Sequence, residues 1–281
     1  MHDEQRRAGP ALLVVQRHPR ALDVRHGGEA STFAPVCPAY GRDVAHVHDT
    51  GNGDFARDAA PGVLGLMRRA GIHDGLVIDL GCGSGIWAAA LVDAGYDVIG
   101  VDQSPALLEI ARERAPGARF VQGSLFDVKL PPCNAVTAIG ECFSYCVDKR
   151  AGRAALAVVL RRIAAALRPG GILVFDVMTP GSEPEAGRRT WTEGPDWLLC
   201  LDAREDLRGR TLTRRIAVFR PDGGGYRRSD EMHRLWLYSR GDALADLDAA
   251  GLRSRTLTGY GRRVRFRRGH IGFAAVKPPD G

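Results

Sequence analysis

Val77-Ile78-Asp79-Leu80-Gly81-Cys82-Gly83-Ser84-Gly85 is the stretch on which the fold turns. Residues 76–80 form a short apolar run that reads as a buried strand. Three alternating glycines follow it at once, and a helical pattern over 86–94 comes next. Glycines in such a turn let backbone N–H groups approach a ligand closely, and the N-terminus of the following helix favours negative charge. A second strand is predicted over 97–101, and Asp102 closes it, 21 residues after Gly81. That position puts a carboxylate beside the turn, where it can accept from two ribose hydroxyls.

These features also fit a dinucleotide dehydrogenase, so the spacing arbitrates. A dehydrogenase turn reads G-x-G-x-x-G, and its third glycine would fall at Ile86. Here the pattern is G-x-G-x-G, with Asp79 two residues ahead of the first glycine. A carboxylate there repels a pyrophosphate and suits the ammonium of an amino acid. The loop describes an adenosine carrying an amino-acid tail.

Outward from this motif, strands and helices alternate. A helix is expected over 104–115, with Ser104 as its cap and Pro105 at its first position. Strands are expected over 118–122 and 135–139. Asp148 caps a long helix to Leu167, and Pro169-Gly170-Gly171 separates it from a fifth strand over 172–177. This rhythm predicts an α/β class: a Rossmann-like, mostly parallel seven-stranded sheet with helices on both faces. The rhythm then changes. Strands over 197–203, 212–220 and 226–238, divided by turn signals, predict an antiparallel insert spanning 190–238. A helix over 242–250 and strands over 252–258 and 270–276 close the chain. Residues 40–70 read as helical, interrupted by Pro61 and Gly65, while 1–38 read as irregular. The expected domain spans 39–281.

The 281 residues are 44% hydrophobic and 26% charged, which describes a globular chain with a sizeable core. No apolar run is long enough to span a bilayer. The run 11–15 is too short for a signal-peptide core, and Arg17, His18 and Arg20 follow it, so a cytoplasmic protein is expected. The six cysteines (Cys37, Cys82, Cys133, Cys142, Cys146, Cys200) contain no CxxC pair and read as reduced, mostly core-filling thiols. No metal site is expected. The net charge of +6 is localised: residues 251–281 hold eight basic side chains and one acid, so the rest of the chain is close to neutral. That distribution argues against a protein covered in nucleic-acid-binding surface.

The motifs together resemble those of class I S-adenosylmethionine-dependent methyltransferases, of the small-molecule type with a β-strand insert before strand six. The matching residues are Val77–Gly85, Val98–Ser104, Gln122–Asp127, Ala138–Glu141 and Leu167–Val177. The resemblance implies S-adenosylmethionine as cofactor and the sheet order 3-2-1-4-5-7-6. It also implies that Asp79 and Gly81 hold the methionine end, Asp102 the ribose, and Gln103, Ser124 and Leu125, with Asp127, the adenine, with Gly83 also at the cofactor. Gly140 and Glu141 would lie under the sulfonium.

The acceptor is left more open, because function sits in the site grafted on the fold. Strand four ends in Ile139-Gly140-Glu141-Cys142-Phe143-Ser144-Tyr145 and lacks the [D/N/S]-P-P-[Y/F] box of enzymes that methylate amides and base amino groups. Pro131-Pro132-Cys133 precedes that strand, whereas the cysteine of cytosine-C5 enzymes follows it. No Asp-Asn pair suggests a magnesium site. The insert leaves the carboxyl edge of the sheet, where it would roof an acceptor pocket, so N or O of a small molecule is expected to receive the methyl group. His233 is the first candidate base, since an imidazole can take a proton near neutrality. Glu141 is the second, and Tyr40 and His46 the third. Trp191, Trp197 and Trp236 read either as pocket lining or as core. Arg262, Arg263, Arg265, Arg267 and Arg268 would stand near the rim, either as a solvated charged face or as contacts to an anion. The alternatives are an RNA methyltransferase using that arginine patch and a non-catalytic S-adenosylmethionine-binding protein. The oligomeric state is not readable.

Overall fold

The computed structural model describes residues 40–146 and 152–279. The segment 1–38, Cys37 and the cap expected at Asp148 lie outside them. Two helices lead, α1 (Arg42–Gly51) and α2 (Asp54–Arg69). Helix α2 runs through Pro61 instead of breaking there. The interior proline costs about 3 kcal/mol, which is offset by burying Ala59, Val63, Leu66 and Met67 on one face.

The alternation then follows: β1 (Leu76–Leu80), α3 (Ile86–Asp93), β2 (Asp97–Asp102), α4 (Pro105–Arg114), β3 (Arg119–Gln122), β4 (Cys133–Ala138), α5 (Arg153–Ala166) and β5 (Leu167–Met178). Helix α4 starts as its sequence dictates, with Ser104 Oγ accepting from the Leu107 amide at 3.1 Å and Pro105 in the first turn. Strand β5 begins earlier than the glycine pair suggests. Leu167 already pairs with Cys133, and the register then jumps so that Ala135 faces Ile172. The Pro169-Gly170-Gly171 segment is accommodated in that irregularity, held by backbone bonds to Lys277 at 2.9 and 3.0 Å.

The insert has four strands, not three: β6 (Arg188–Gly194), β7 (Trp197–Asp206), β8 (Thr211–Asp222) and β9 (Gly225–Trp236), paired in order as an antiparallel meander. Strand β6 escaped the sequence reading because Arg-Arg-Thr-Trp-Thr-Glu-Gly is mostly exposed and shows no apolar alternation. Helix α6 (Arg240–Ala249), capped by Ser239, leads to β10 (Arg253–Leu257), the short pair β11 (Gly259–Tyr260) and β12 (Val264–Arg265), and β13 (His270–Val276).

The main sheet has the order β10-β13-β5-β4-β1-β2-β3. This is the expected 3-2-1-4-5-7-6, with β13 antiparallel to both neighbours. Side chains alternate across it. Leu173, Phe175 and Val177 of β5 enter one apolar cluster with Leu160, Ile163 and Phe273, while Ile172 and Val174 enter the other with Val63, Met67 and Trp87. No helix among the described residues is long and apolar enough to cross a membrane.

Phe175 is fully buried, stacked on Phe273 at 5.0 Å and edge-on to Phe143 at 5.3 Å. Phe175→Ala should therefore destabilise the fold by about 3–5 kcal/mol. Urea unfolding measures this, and an unchanged midpoint would contradict this account of the core.

Candidate functional site

The carboxyl edge of the parallel sheet opens into a cleft of about 950 Å³. At its floor the glycine turn folds back, with the amides of Gly81 and Cys82 both donating to the Val101 carbonyl at 2.7 and 3.0 Å. The close approach requires glycine at both ends of the motif. A Cβ on Gly81 (φ +73°) would lie 2.5 Å from Cys142 Sγ, and one on Gly85 (φ +76°) 2.9 Å from Ala111 Cβ in α4.

Asp79 and Asp102 flank this turn. Asp102 is anchored by backbone alone, Oδ2 accepting from Gly83 N and Oδ1 from Ser104 N, each at 2.9 Å. Burial nonetheless raises its pKa. Asp79 faces Thr137 across the β1–β4 register, and Thr137 Oγ1 donates to it at 2.9 Å while accepting from Trp87 Nε1 at 3.0 Å. Burial, with the nearby Asp102 charge in support, pushes Asp79 up to about 7 although the Thr137 hydrogen bond opposes it. A carboxyl whose charged form is disfavoured by burial gains from a cationic partner, so this donor set suits an ammonium at Asp79 and hydroxyls at Asp102. The cofactor implied by the sequence fits both.

The other residues expected at the cofactor gather here except Ser124 and Asp127, which do not line the cleft. Gly83, Gln103, Leu125 and Gly140 line the cleft. Ser124 stands between two lining residues, Gly123 and Leu125, and its Oγ accepts from the Phe126 amide at 3.1 Å. Burial raises the thiols of Cys82 and Cys142 well above their usual range, so both stay protonated. All five described cysteines are free.

Helix α1 covers the turn. Arg114 of α4 holds Asp49 of α1 through two hydrogen bonds, at 2.7 and 2.9 Å, and also reaches the Ser84 carbonyl. Tyr40, just before α1, meets Tyr145 with hydroxyls 2.7 Å apart. Burial lifts both phenols above their usual pKa, so they remain protonated and act as hydrogen-bonding groups. Glu231 of β9 accepts the Tyr40 and Gly41 amides at 2.8 and 2.7 Å, which caps α1 from another element, and also takes His233 Nε2 at 2.7 Å. Glu141, in a left-handed conformation (φ +66°), pairs with Arg214 of β8 at 2.9 Å. Arg214 is pulled down by burial but held charged by Glu141, and its pKa ends raised.

The three leading base candidates, His233, Glu141 and Tyr40, therefore converge on one wall. His46 does not join them, being tied to Asp196 at 3.1 Å. His48, two residues further along α1 and so on a different face of the helix, lies in the cleft, and burial lowers it to about 4. The tryptophans of the insert do not line the cleft: Trp197 packs with Val44, Val47 and Val218, Trp236 packs against the main core, and Trp191 is 66% exposed. The inner face of the insert instead presents Thr190, Thr192, Leu199, Leu201 and Ile216 at period two. Arg263, Arg265, Arg267 and Arg268 stand on the rim, beside the packed Val264 and Phe266. Sequence reasoning missed Tyr145, Arg214, Glu231, Asp176 and His270. For Tyr145, its position four residues after Glu141 was the available signal; for the others there was none.

Comparison with known proteins agrees with this geometry. A methyltransferase-domain family model matches residues 77–171. A dTDP-3-amino-3,6-dideoxy-alpha-D-glucopyranose N,N-dimethyltransferase from Streptomyces fradiae is 31% identical over 228 residues, covering 76% of this chain and 85% of the relative. A dTDP-3-amino-3,4,6-trideoxy-alpha-D-glucopyranose N,N-dimethyltransferase from Streptomyces venezuelae is 28% identical over 240 residues, covering 78% and 94%. Among solved structures, the sugar N-methyltransferase KedS8 from a Streptoalloteichus species superposes with a TM-score of 0.71 at 25% identity, over 90% of this chain and all of that one. With the glycine turn, the two flanking carboxylates and the sheet order already in place, this chain belongs to the class I S-adenosylmethionine-dependent methyltransferases and is an enzyme that uses S-adenosylmethionine.

Proposed function

We propose that this enzyme methylates the amino nitrogen of a nucleotide-linked amino sugar. The observation that carries the reading is the reach of the likeness to the Streptomyces fradiae enzyme. Three quarters of this chain cannot be matched without taking in the first strands of the insert, beyond the part that handles the cofactor. The arginine rim supports it, because four guanidinium groups at the mouth suit a diphosphate.

S-adenosylmethionine supplies an electrophilic methyl group when bound. Asp79, Gly81 and Gly83 would hold its amino-acid end, Asp102 its ribose, Gln103, Ser124 and Leu125 the region of its base, and Gly140 the floor near the sulfur. Toward the acceptor, the neutral Tyr40 and Tyr145 hydroxyls accept hydrogen bonds from the amine N–H groups and orient its lone pair. Methylation leaves a cationic nitrogen, and the acidic side chain on the same wall is Glu141, paired with Arg214 at 2.9 Å. His233, with Glu231 on Nε2, acts on Tyr40, whose ring lies 4.9 Å away. A neutral amine needs no base at the transfer step itself. We also place the enzyme in the cytoplasm, a reducing compartment suited to its free thiols.

The test is an assay with a dTDP-linked amino sugar, its hydroxyl analogue and the free amino sugar. One and then two methyl groups should appear by mass on the first alone. Turnover of RNA instead, or of none of these, would overturn the reading. For the cofactor, Asp102→Ala should weaken S-adenosylhomocysteine binding by about tenfold or more in calorimetry, since hydrogen bonds to a charged group are lost; unchanged affinity would remove Asp102 from the site. The Asp79 carboxyl must lose its proton to meet an ammonium, and its pKa lies near 7. Affinity should therefore rise with pH up to about 7 and level off above it. Asp79→Asn should abolish that rise, and a pH-independent wild type would refute the contact.

A further inference from the structure

Asp176, near the end of β5, is fully buried and does not itself line the cleft. Its two oxygens receive four donors. Oδ1 accepts from the Gly140 amide at 2.9 Å and the Tyr260 hydroxyl at 2.6 Å. Oδ2 accepts from the Glu141 amide at 2.8 Å and His270 Nε2 at 2.6 Å. Gly140 and Glu141 are consecutive residues with positive φ, +92° and +66°, so their amides form a concave pair that a carboxylate fills. For a glutamate that conformation is strained and persists only where the surroundings impose it.

The other two donors come from the segment that carries the arginine rim. Tyr260 stands at one end of it and His270 at the other, with Arg263, Arg265, Arg267 and Arg268 between them. Tyr260 is itself fully buried, and the Phe266 ring packs on both, 4.9 Å from Tyr260 and 4.3 Å from His270. Burial depresses the His270 imidazole, but the Asp176 hydrogen bond and charge outweigh it and leave its pKa raised. One carboxylate thus anchors the turn at the cofactor floor and both ends of the rim loop.

We propose that Asp176 is a positioning residue for methyl transfer: it holds the Gly140–Glu141 turn in its left-handed conformation and fixes the arginine loop to that turn, so that cofactor floor and acceptor rim move as one body. This rests on the reading of Gly140 and Glu141 as the cofactor floor. Each Asp176 oxygen serves one backbone amide and one side chain. An asparagine in its place must aim an NH2 group at one of the two backbone amides, whichever way it is turned. A tyrosine hydroxyl or neutral imidazole can reverse its role and accept; a backbone N–H cannot.

The experiment is Asp176→Asn, with S-adenosylhomocysteine binding by calorimetry alongside KM and kcat for the acceptor. Cofactor affinity should fall by about tenfold, as for a buried donor left unpaired, and acceptor KM should rise with it. A double-mutant cycle with Glu141→Gly separates positioning from general damage. Glycine holds positive φ unaided, so the loss caused by Asp176→Asn should shrink to about threefold or less in that background. An undiminished loss would overturn the proposal, as would Asp176→Asn binding cofactor like the wild type. Should Asp176→Asn fail to fold, hydrogen exchange at the Gly140 and Glu141 amides decides the matter. In the cofactor-free wild type they should be protected like strand amides, and Tyr260→Phe should speed their exchange. Exchange at the rate of an exposed loop would refute the anchoring. A wild type that binds no S-adenosylhomocysteine would overturn the cofactor-site reading and this proposal with it, whereas binding that ignores Asp176 would overturn the positioning role alone.

Discussion

The closure of the β1–α3 turn onto the end of β2 is the constraint on which the rest depends. Two consecutive amides, Gly81 and Cys82, must share the carbonyl of Val101, and the next glycine must present its amide to Asp102. Only a chain without Cβ atoms at the crowded points can take that path, because Cys142 and Ala111 occupy the space a side chain would need. Once the turn is closed, Asp79 and Asp102 are brought within reach of each other's charge. Their mutual repulsion and common burial make the site unfavourable to two ionised carboxylates in the absence of a partner. The turn therefore creates both the space for a ligand and the electrostatic reason for one to bind.

Three carboxylates stand at this edge, Asp79 and Asp176 buried and Asp102 half-buried, and the donors each receives separate their roles. Asp176, with four, has its accepting capacity filled by the protein. Asp102 takes only backbone amides, those of Gly83 and Ser104 with that of Gln103 in support, and no side chain of the protein. Asp79 receives the Thr137 hydroxyl, itself fixed by the Trp87 indole. A carboxylate with its partners inside the fold behaves as a structural joint, and one held in place but left short of donors is prepared for something from outside. The same logic distinguishes Glu231, filled by two amides and His233, from Glu141, which meets the cleft with a single arginine beside it.

What the sequence shows is what is encoded locally. The glycine turn, Asp79, Asp102 and the Ser104 cap all lie within 26 residues and are fixed by strand-turn-helix geometry, so they were readable. The alternation of apolar runs likewise predicted the main sheet. Strand β6 was not readable because its partner β7 makes it a strand, not an apolar pattern of its own. The partners of Glu231 at Tyr40 and Gly41 are 191 and 190 residues away, and Tyr260 and His270 lie 84 and 94 residues from Asp176. Nothing about an isolated aspartate in a hydrophobic strand tells which distant amides it will collect. The tryptophans show the converse: their size marked them as important, but burial among Val44, Val47 and Val218 was as good a use for Trp197 as a pocket wall.

In the function proposed above, cofactor and acceptor fall to separate parts of the chain, and the joints between those parts are polar. The parallel edge carries the glycine turn, while the insert and the C-terminal segment carry the facing wall and the rim of the cleft. Across that division run the Glu141–Arg214 pair, the Glu231 cap on α1 and the Asp176 anchor. A hydrophobic seam of the same extent would bind more strongly and specify less, since apolar contacts tolerate sliding and hydrogen bonds to fixed donors do not. In-line transfer to nitrogen asks for placement within fractions of an ångström more than for strong attachment. The polar joints supply that register, opposite an inner face of the insert that presents Thr190, Thr192, Leu199, Leu201 and Ile216 to the cleft.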